Sequence, residues 1–136
     1  MSNEPTIFEQ AGGAPAFRRL VEAFYARVEQ DPLLRPLFPA DLGPGKEYQY
    51  LFLMQYFGGP TTYSEMRGHP RLRMRHAPFP IGPAERDAWL AHMLAAIDEA
   101  GIGEPARSAM RRYFEMAAPA MMNRPDSPRA AVRAEG

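Results

Sequence analysis

Prolines and glycines cut this chain into runs, and in the longer runs the apolar residues return every three or four positions. That combination leaves room for little except helices joined at sharp corners. Gly12-Gly13 separates a short first helix from a longer second one. Pro15 suits a first helical turn, after which Phe17, Leu20, Val21, Phe24 and Val28 share a face. Asp31-Pro32 ends this helix, because the residue before a proline is pushed out of the helical region. Leu33 to Phe38 reads as a short turn and Pro39 to Gly45 as a loop. Lys46 to Phe57 predicts a second long helix, rich in aromatics, which Gly58-Gly59-Pro60 stops. Pro83 opens a third, with Trp89, Met93, Ala96, Ile97 and Ala100 on one face and Gly101 and Gly103 at its end. Pro105 to Met122 predicts a fourth, carrying Ala106, Met110, Tyr113, Phe114, Ala117 and Met121, with Pro119 kinking or fraying its last turn. Thr61 to Gly82 holds three prolines, which predicts no more than a short helix over Leu72 to His76. Period-two alternation and hairpin signals are missing, so the expected fold class is all-α.

A chain of 136 residues suits one domain. The reading places it over residues 1–122, followed by a tail, 123–136, that has little to bury and is expected to be disordered. Sixteen basic side chains balance sixteen acidic ones, so no nucleic-acid partner is expected, since phosphate recognition calls for a basic excess. With no cysteine in the chain, disulfides, thiolate metal sites, iron–sulfur clusters and cysteine nucleophiles are excluded. No signal peptide and no bilayer-length apolar run is visible, which gives a cytoplasmic expectation with no membrane partner.

The stretch RGHPRLRMRHAPFPIG, from Arg67 to Gly82, concentrates two of the three histidines among four arginines and three prolines. His76 reads either as a loop residue or as a ligand held at a fixed angle. His69, before a proline, reads as a structural or exposed side chain, and His92 as a surface or core-edge residue. Tyr25 follows Phe24 at the margin of an apolar face, where a phenol caps a core or performs chemistry. Ser64 and Ser108 lack the glycines of a nucleophile elbow, Gly12-Gly13 has no lysine at phosphate-loop spacing, and no pair of histidines at helical spacing suits a zinc or di-iron bundle.

Taken in order, AGG at Ala11 to Gly13, FYARV at Phe24 to Val28, the long stretch from Gln55 to Gly82 and RDAWL at Arg86 to Leu90 resemble the truncated haemoglobins of the second group, the O-type. The resemblance spans about residues 5 to 122. It implies a two-over-two helical sandwich, a shortened globin, around haem b. His76 then matches the proximal histidine, whose neutral imidazole binds the haem iron while its second nitrogen donates to a carbonyl. Tyr25 matches the distal tyrosine and Trp89 the distal tryptophan. Phe38 matches a position that is tyrosine in some members, and Gly45 the place of the distal histidine in larger globins. Gln49 is a polar amide at a site that is often apolar. Phe52, Leu53, Leu72, Phe79 and Met93 are expected in the apolar wall, and Tyr63, Arg73 and Arg75 beside the haem propionates.

The resemblance implies that dioxygen, drawing negative charge in such a pocket, meets donors from Tyr25, Trp89 and Gln49. Each hydrogen bond is worth about 1 kcal/mol, roughly fivefold in release rate, which suits redox chemistry better than oxygen storage. Two enzymatic roles follow: dioxygenation of nitric oxide to nitrate, with a separate reductase as electron source, or peroxidase-like turnover in which Tyr25 and Trp89 are themselves oxidised. The non-enzymatic alternative is an oxygen or nitric oxide sensor or reservoir. A third reading has no cofactor and all these aromatics as core. The chain is expected as a monomer or homodimer.

Overall fold

Local hydrogen bonding explains where the helices start. Thr6 accepts from the Glu9 amide through its hydroxyl (3.1 Å), and Glu9 accepts in return from the Thr6 amide (2.9 Å), a reciprocal cap that opens α1, Ile7–Ala11. The chain then reverses at Gly12, whose φ of 115° is open only to glycine at low cost, and enters α2, Gly13–Glu29. A single 3-10 turn, Arg35–Leu37, leads to α3, Gly43–Tyr56. Next come α4, Thr62–Arg67, then α5, Pro83–Glu99, and α6, Ala106–Ala120. The computed structural model describes residues 4–69, 71 and 80–123, and among these it contains helices and no strand.

The second helix is the hub. It packs against α5 and α3, while α6 packs on α5, so an α2–α3 pair lies over an α5–α6 pair. The faces that meet carry Phe17, Leu20, Val21, Phe24, Val28, Met93, Ile97, Met110 and Phe114, all withdrawn from water. Burying a side chain of this size is worth roughly 1.5–3 kcal/mol, which makes these contacts the main source of cohesion. Polar clamps hold the register from outside: Arg27 pairs with Glu99 through two bonds (3.0 and 2.9 Å), and Lys46 with Glu22 (2.9 Å). Such exposed pairs orient helices more than they stabilise them. The short α1 closes the end of the bundle. There the Phe8 amide donates to the Phe57 carbonyl (2.8 Å), and a Cβ on Gly59 would stand 2.8 Å from the Phe8 ring. This explains why a glycine follows the aromatic helix.

The all-α expectation agrees with this architecture, and four long helices occur where periodicity placed them. One boundary and one element differ. The helix expected from Lys46 begins at Gly43, because Pro44 serves as a first-turn residue rather than a loop residue. Helix α4 was not expected. Its six residues fit between Pro60 and Pro70, where nothing breaks a helix, and the Thr61 hydroxyl bonds Glu65 across the first turn (2.9 Å). The short helix expected over Leu72 to His76 and the tail after Asn123 lie outside the described residues.

Candidate functional site

The packing of α2 on α5 and α3 brings three elements together around one aromatic cluster. Phe24 and Tyr25 stand side by side on α2, rings edge to face with centroids 5.5 Å apart. Phe24 also meets Trp89 of α5 at 5.9 Å, and Tyr25 meets Phe38, just after the 3-10 turn, at 5.8 Å. Phe24 therefore bridges the two residues expected on the distal side. By spacing alone Phe24 is one more apolar position on α2; its bridging role comes from the packing of α2 on α5.

The Tyr25 hydroxyl points at α3. A Cβ built on Gly45 would stand 3.0 Å from that oxygen, so any larger residue there must displace the phenol. Gly45 itself is exposed, which leaves solvent close to the hydroxyl. Burial pushes the Tyr25 phenol up to about 12, so it keeps its proton throughout the physiological range and stands as a donor. One helical turn beyond Gly45, the Oε1 of Gln49 is buried with no hydrogen-bond partner. An unmet buried polar atom costs about 1–3 kcal/mol and calls for an explanation. Turning the amide over exchanges oxygen for nitrogen, so the position offers either an acceptor or a donor to whatever enters beside it.

Among the described residues neither the Tyr25 hydroxyl nor the Trp89 indole N–H has a hydrogen-bond partner. Two N–H or O–H donors and one amide are thus present in an apolar surround, with no group among the described residues to satisfy them. Leu53 and Met93 belong to the same buried core, against which Phe52 packs. Tyr63 is buried too, its ring edge-on to Phe52 at 5.5 Å. His76, Leu72, Arg73, Arg75 and Phe79 lie outside the described residues. The other two histidines have ordinary occupations. His69 is exposed and accepts through Nδ1 from the Arg71 amide (3.0 Å). His92 meets the carboxylate of Asp31 at 2.7 Å.

That last contact ties the end of α2, which carries Tyr25, to the helix that carries Trp89. Desolvation pushes the Asp31 carboxyl up. The His92 hydrogen bond and the amides of Leu33 and Leu34 pull it down further, and the net shift is downward. A carboxyl with a depressed folded pKa contributes stability that is full above its unfolded value, about 3.9, and disappears as pH falls through the folded value. Asp31→Asn is therefore expected to lower the unfolding free energy by about 1 kcal/mol at pH 6. Urea titrations should show the two proteins converging below about pH 4; a gap that persists in acid would contradict the assignment.

Residues 6–123 match the sequence profile of the bacterial-like globin family. This chain belongs to the bacterial-like globins. It is 42% identical to the group 2 truncated haemoglobin YjbI of Bacillus subtilis, over 87% of this chain and 89% of that one. The solved haemoglobin of the thermophilic phototroph Chloroflexus aurantiacus is 77% identical and superposes with a TM-score of 0.88, over 89% of this chain and all of the other. The group II truncated haemoglobin of Bacillus anthracis superposes with a TM-score of 0.89 at 39% identity, over 93% and 98% of the two chains. The two-over-two helical arrangement is that of these truncated globins. Membership implies a haem with its iron and the binding of diatomic ligands. The residues present fit such a group: the buried Gln49 Oε1 without a partner, and the Tyr25 hydroxyl facing a bare Gly45 with no partner among the described residues, are what a small polar ligand needs.

Proposed function

We propose that this globin holds haem b through His76 and uses its distal side to bind dioxygen for redox chemistry with nitric oxide. The observation that carries the reading is the buried, partnerless Oε1 of Gln49, one turn from the place where Gly45 meets the Tyr25 hydroxyl. Haem, when present, supplies an iron at which dioxygen gathers negative charge. Everything else falls to the chain. Tyr25, kept as a neutral phenol by burial, donates to that charge. Trp89 donates from α5, and Gln49 from α3 once its amide nitrogen faces the ligand. Phe24 and Phe38 fix the Tyr25 ring by edge contacts, so little side-chain freedom is lost on binding. Leu53, Met93 and Phe52 supply an apolar wall, while Tyr63, Arg73 and Arg75 serve the propionates. The exposed Gly45 leaves an entry for small ligands.

Dioxygenation combines one nitric oxide, one dioxygen and one electron to give nitrate. The electron comes from a separate reductase, and the reaction is placed in the cytoplasm. The reduced protein, equilibrated with dioxygen and then given nitric oxide, is expected to return nitrate in equal amount. Nitrite or an inert nitrosyl adduct as the main product would overturn this reading. A second reading, peroxidase-like turnover, is favoured by the unbroken ring contacts from Tyr25 through Phe24 to Trp89, two oxidisable side chains joined by one spacer.

A further inference from the structure

The ring contacts do not stop at Trp89. Its indole meets Phe114 of α6 at 5.8 Å, Phe114 meets Tyr113 at 5.1 Å, and Tyr113 lies over Tyr56 of α3 at 4.1 Å. A parallel branch runs from Phe114 through Phe57 to Tyr56, at 6.1 and 5.1 Å. Neighbouring rings are ordinary in a core, but the far end of this series is not core. Tyr56 is 54% exposed, and among the described residues neither tyrosine hydroxyl has a hydrogen-bond partner. The pair lines an open cleft of about 540 Å³, bounded by Thr6, Phe57, Arg112 and Met116. Met116, 76% exposed, adds a large apolar side chain to its rim. None of the residues lining this cleft belongs to the distal cluster described above.

We propose that the Tyr56–Tyr113 cleft is a second, surface site at which a small phenol is oxidised, its electrons passing inward along the aromatic series to the haem pocket. The inference rests on the peroxidase-like reading and extends it. Tryptophan and tyrosine are the ring side chains that give up an electron to a strong oxidant. Phenylalanine does not, so Phe114 acts as the medium across which an electron tunnels from Tyr113 to Trp89. Hydrogen peroxide is the oxidant, and the balance closes without any other reagent. One peroxide takes two electrons and two protons to become two waters. Two phenols each release one electron and one proton and leave as phenoxyl radicals. At the surface, Tyr56 passes its phenolic proton to solvent when it is oxidised and regains one when the phenol reduces it. Burial and the neighbouring Tyr56 push Tyr113 up to about 12, so it starts as a neutral phenol; when it gives up its electron it also releases its proton into the open cleft, and it regains both when Tyr56 reduces it. Arg112 on the lining favours a phenol that also carries a carboxylate.

The test uses the haem-loaded protein, hydrogen peroxide and 4-hydroxyphenylacetate, comparing the native chain with Tyr56→Phe/Tyr113→Phe. Neither hydroxyl bonds a described residue, so the double change keeps the packing. The native protein is expected to show a tyrosyl radical after rapid freezing, and phenol adducts on Tyr56 or Tyr113 by peptide mapping. The double variant should lose those adducts and oxidise the phenol at least about tenfold more slowly, while its Soret band responds to peroxide at the native rate. Native-level phenol oxidation in the double variant, or adducts confined to Tyr25, would overturn this proposal and leave the haem reading standing. A protein with no Soret band would overturn both, while one that holds haem but is indifferent to peroxide would overturn this proposal together with the peroxidase-like reading it rests on.

Discussion

Tyr25→Phe/Trp89→Phe is expected to release dioxygen about 25-fold faster than the native protein, about fivefold for each lost hydrogen bond if the two add. Phenylalanine at position 25 keeps the edge contacts with Phe24 and Phe38 at 5.5 and 5.8 Å and removes only the oxygen. At position 89 the smaller ring also loosens the contacts with Phe24 and Phe114, so the single variants and Gln49→Leu belong beside the double one. Because Phe24 touches both rings, the two effects are expected to couple, and the cycle of single and double variants measures by how much. Stopped-flow displacement of dioxygen by carbon monoxide reads the rate directly. If no variant accelerates release by more than about twofold, hydrogen bonds of the usual worth do not hold the ligand.

The second large effect concerns His76. Replacing it with glycine removes the side chain proposed to bind the iron, and haem retention should fall steeply. Outer-shell partners of a ligating histidine already alter metal affinity by about 10–100-fold, so losing the ligand itself should exceed about 100-fold in the rate of haem transfer to an acceptor globin. The contacts of α2 with α5 and α3 do not depend on that imidazole, so the apoprotein is expected to remain helical. A His76→Gly protein that keeps haem as firmly as the native one would contradict the proximal assignment.

Much of the scaffold was legible because apolar spacing and chain punctuation agreed. Phe17, Leu20, Val21, Phe24 and Val28 return at helical intervals, and all five are buried in the α2 face. Helix α4 was not legible. Its six residues are too few for periodicity to register, and the prolines nearby suggested loop. The start of α3 was misplaced for a related reason, since Pro44 looks the same to composition whether it opens a helix or sits in a turn. The distal cluster divides in the same way. Tyr25 and Trp89 stood out only through their resemblance to a family motif, because spacing alone makes both of them core. What joins them is Phe24, and what faces the Tyr25 hydroxyl is Gly45. Both relations arise from α2 packing on α5 and α3, and no local rule encodes either. The Asp31–His92 contact and the Tyr56–Tyr113 stack link residues far apart in the chain, and nothing in either neighbourhood announces its partner.

The central claim is that one imidazole, from His76, is fastened to a haem iron. Resonance Raman spectroscopy of the reduced protein tests it most directly. An iron–imidazole stretching band is expected in the native protein, absent in His76→Gly, and restored to that variant by free imidazole. Persistence of the band in His76→Gly, with its loss in His69→Gly or His92→Gly instead, would contradict the account.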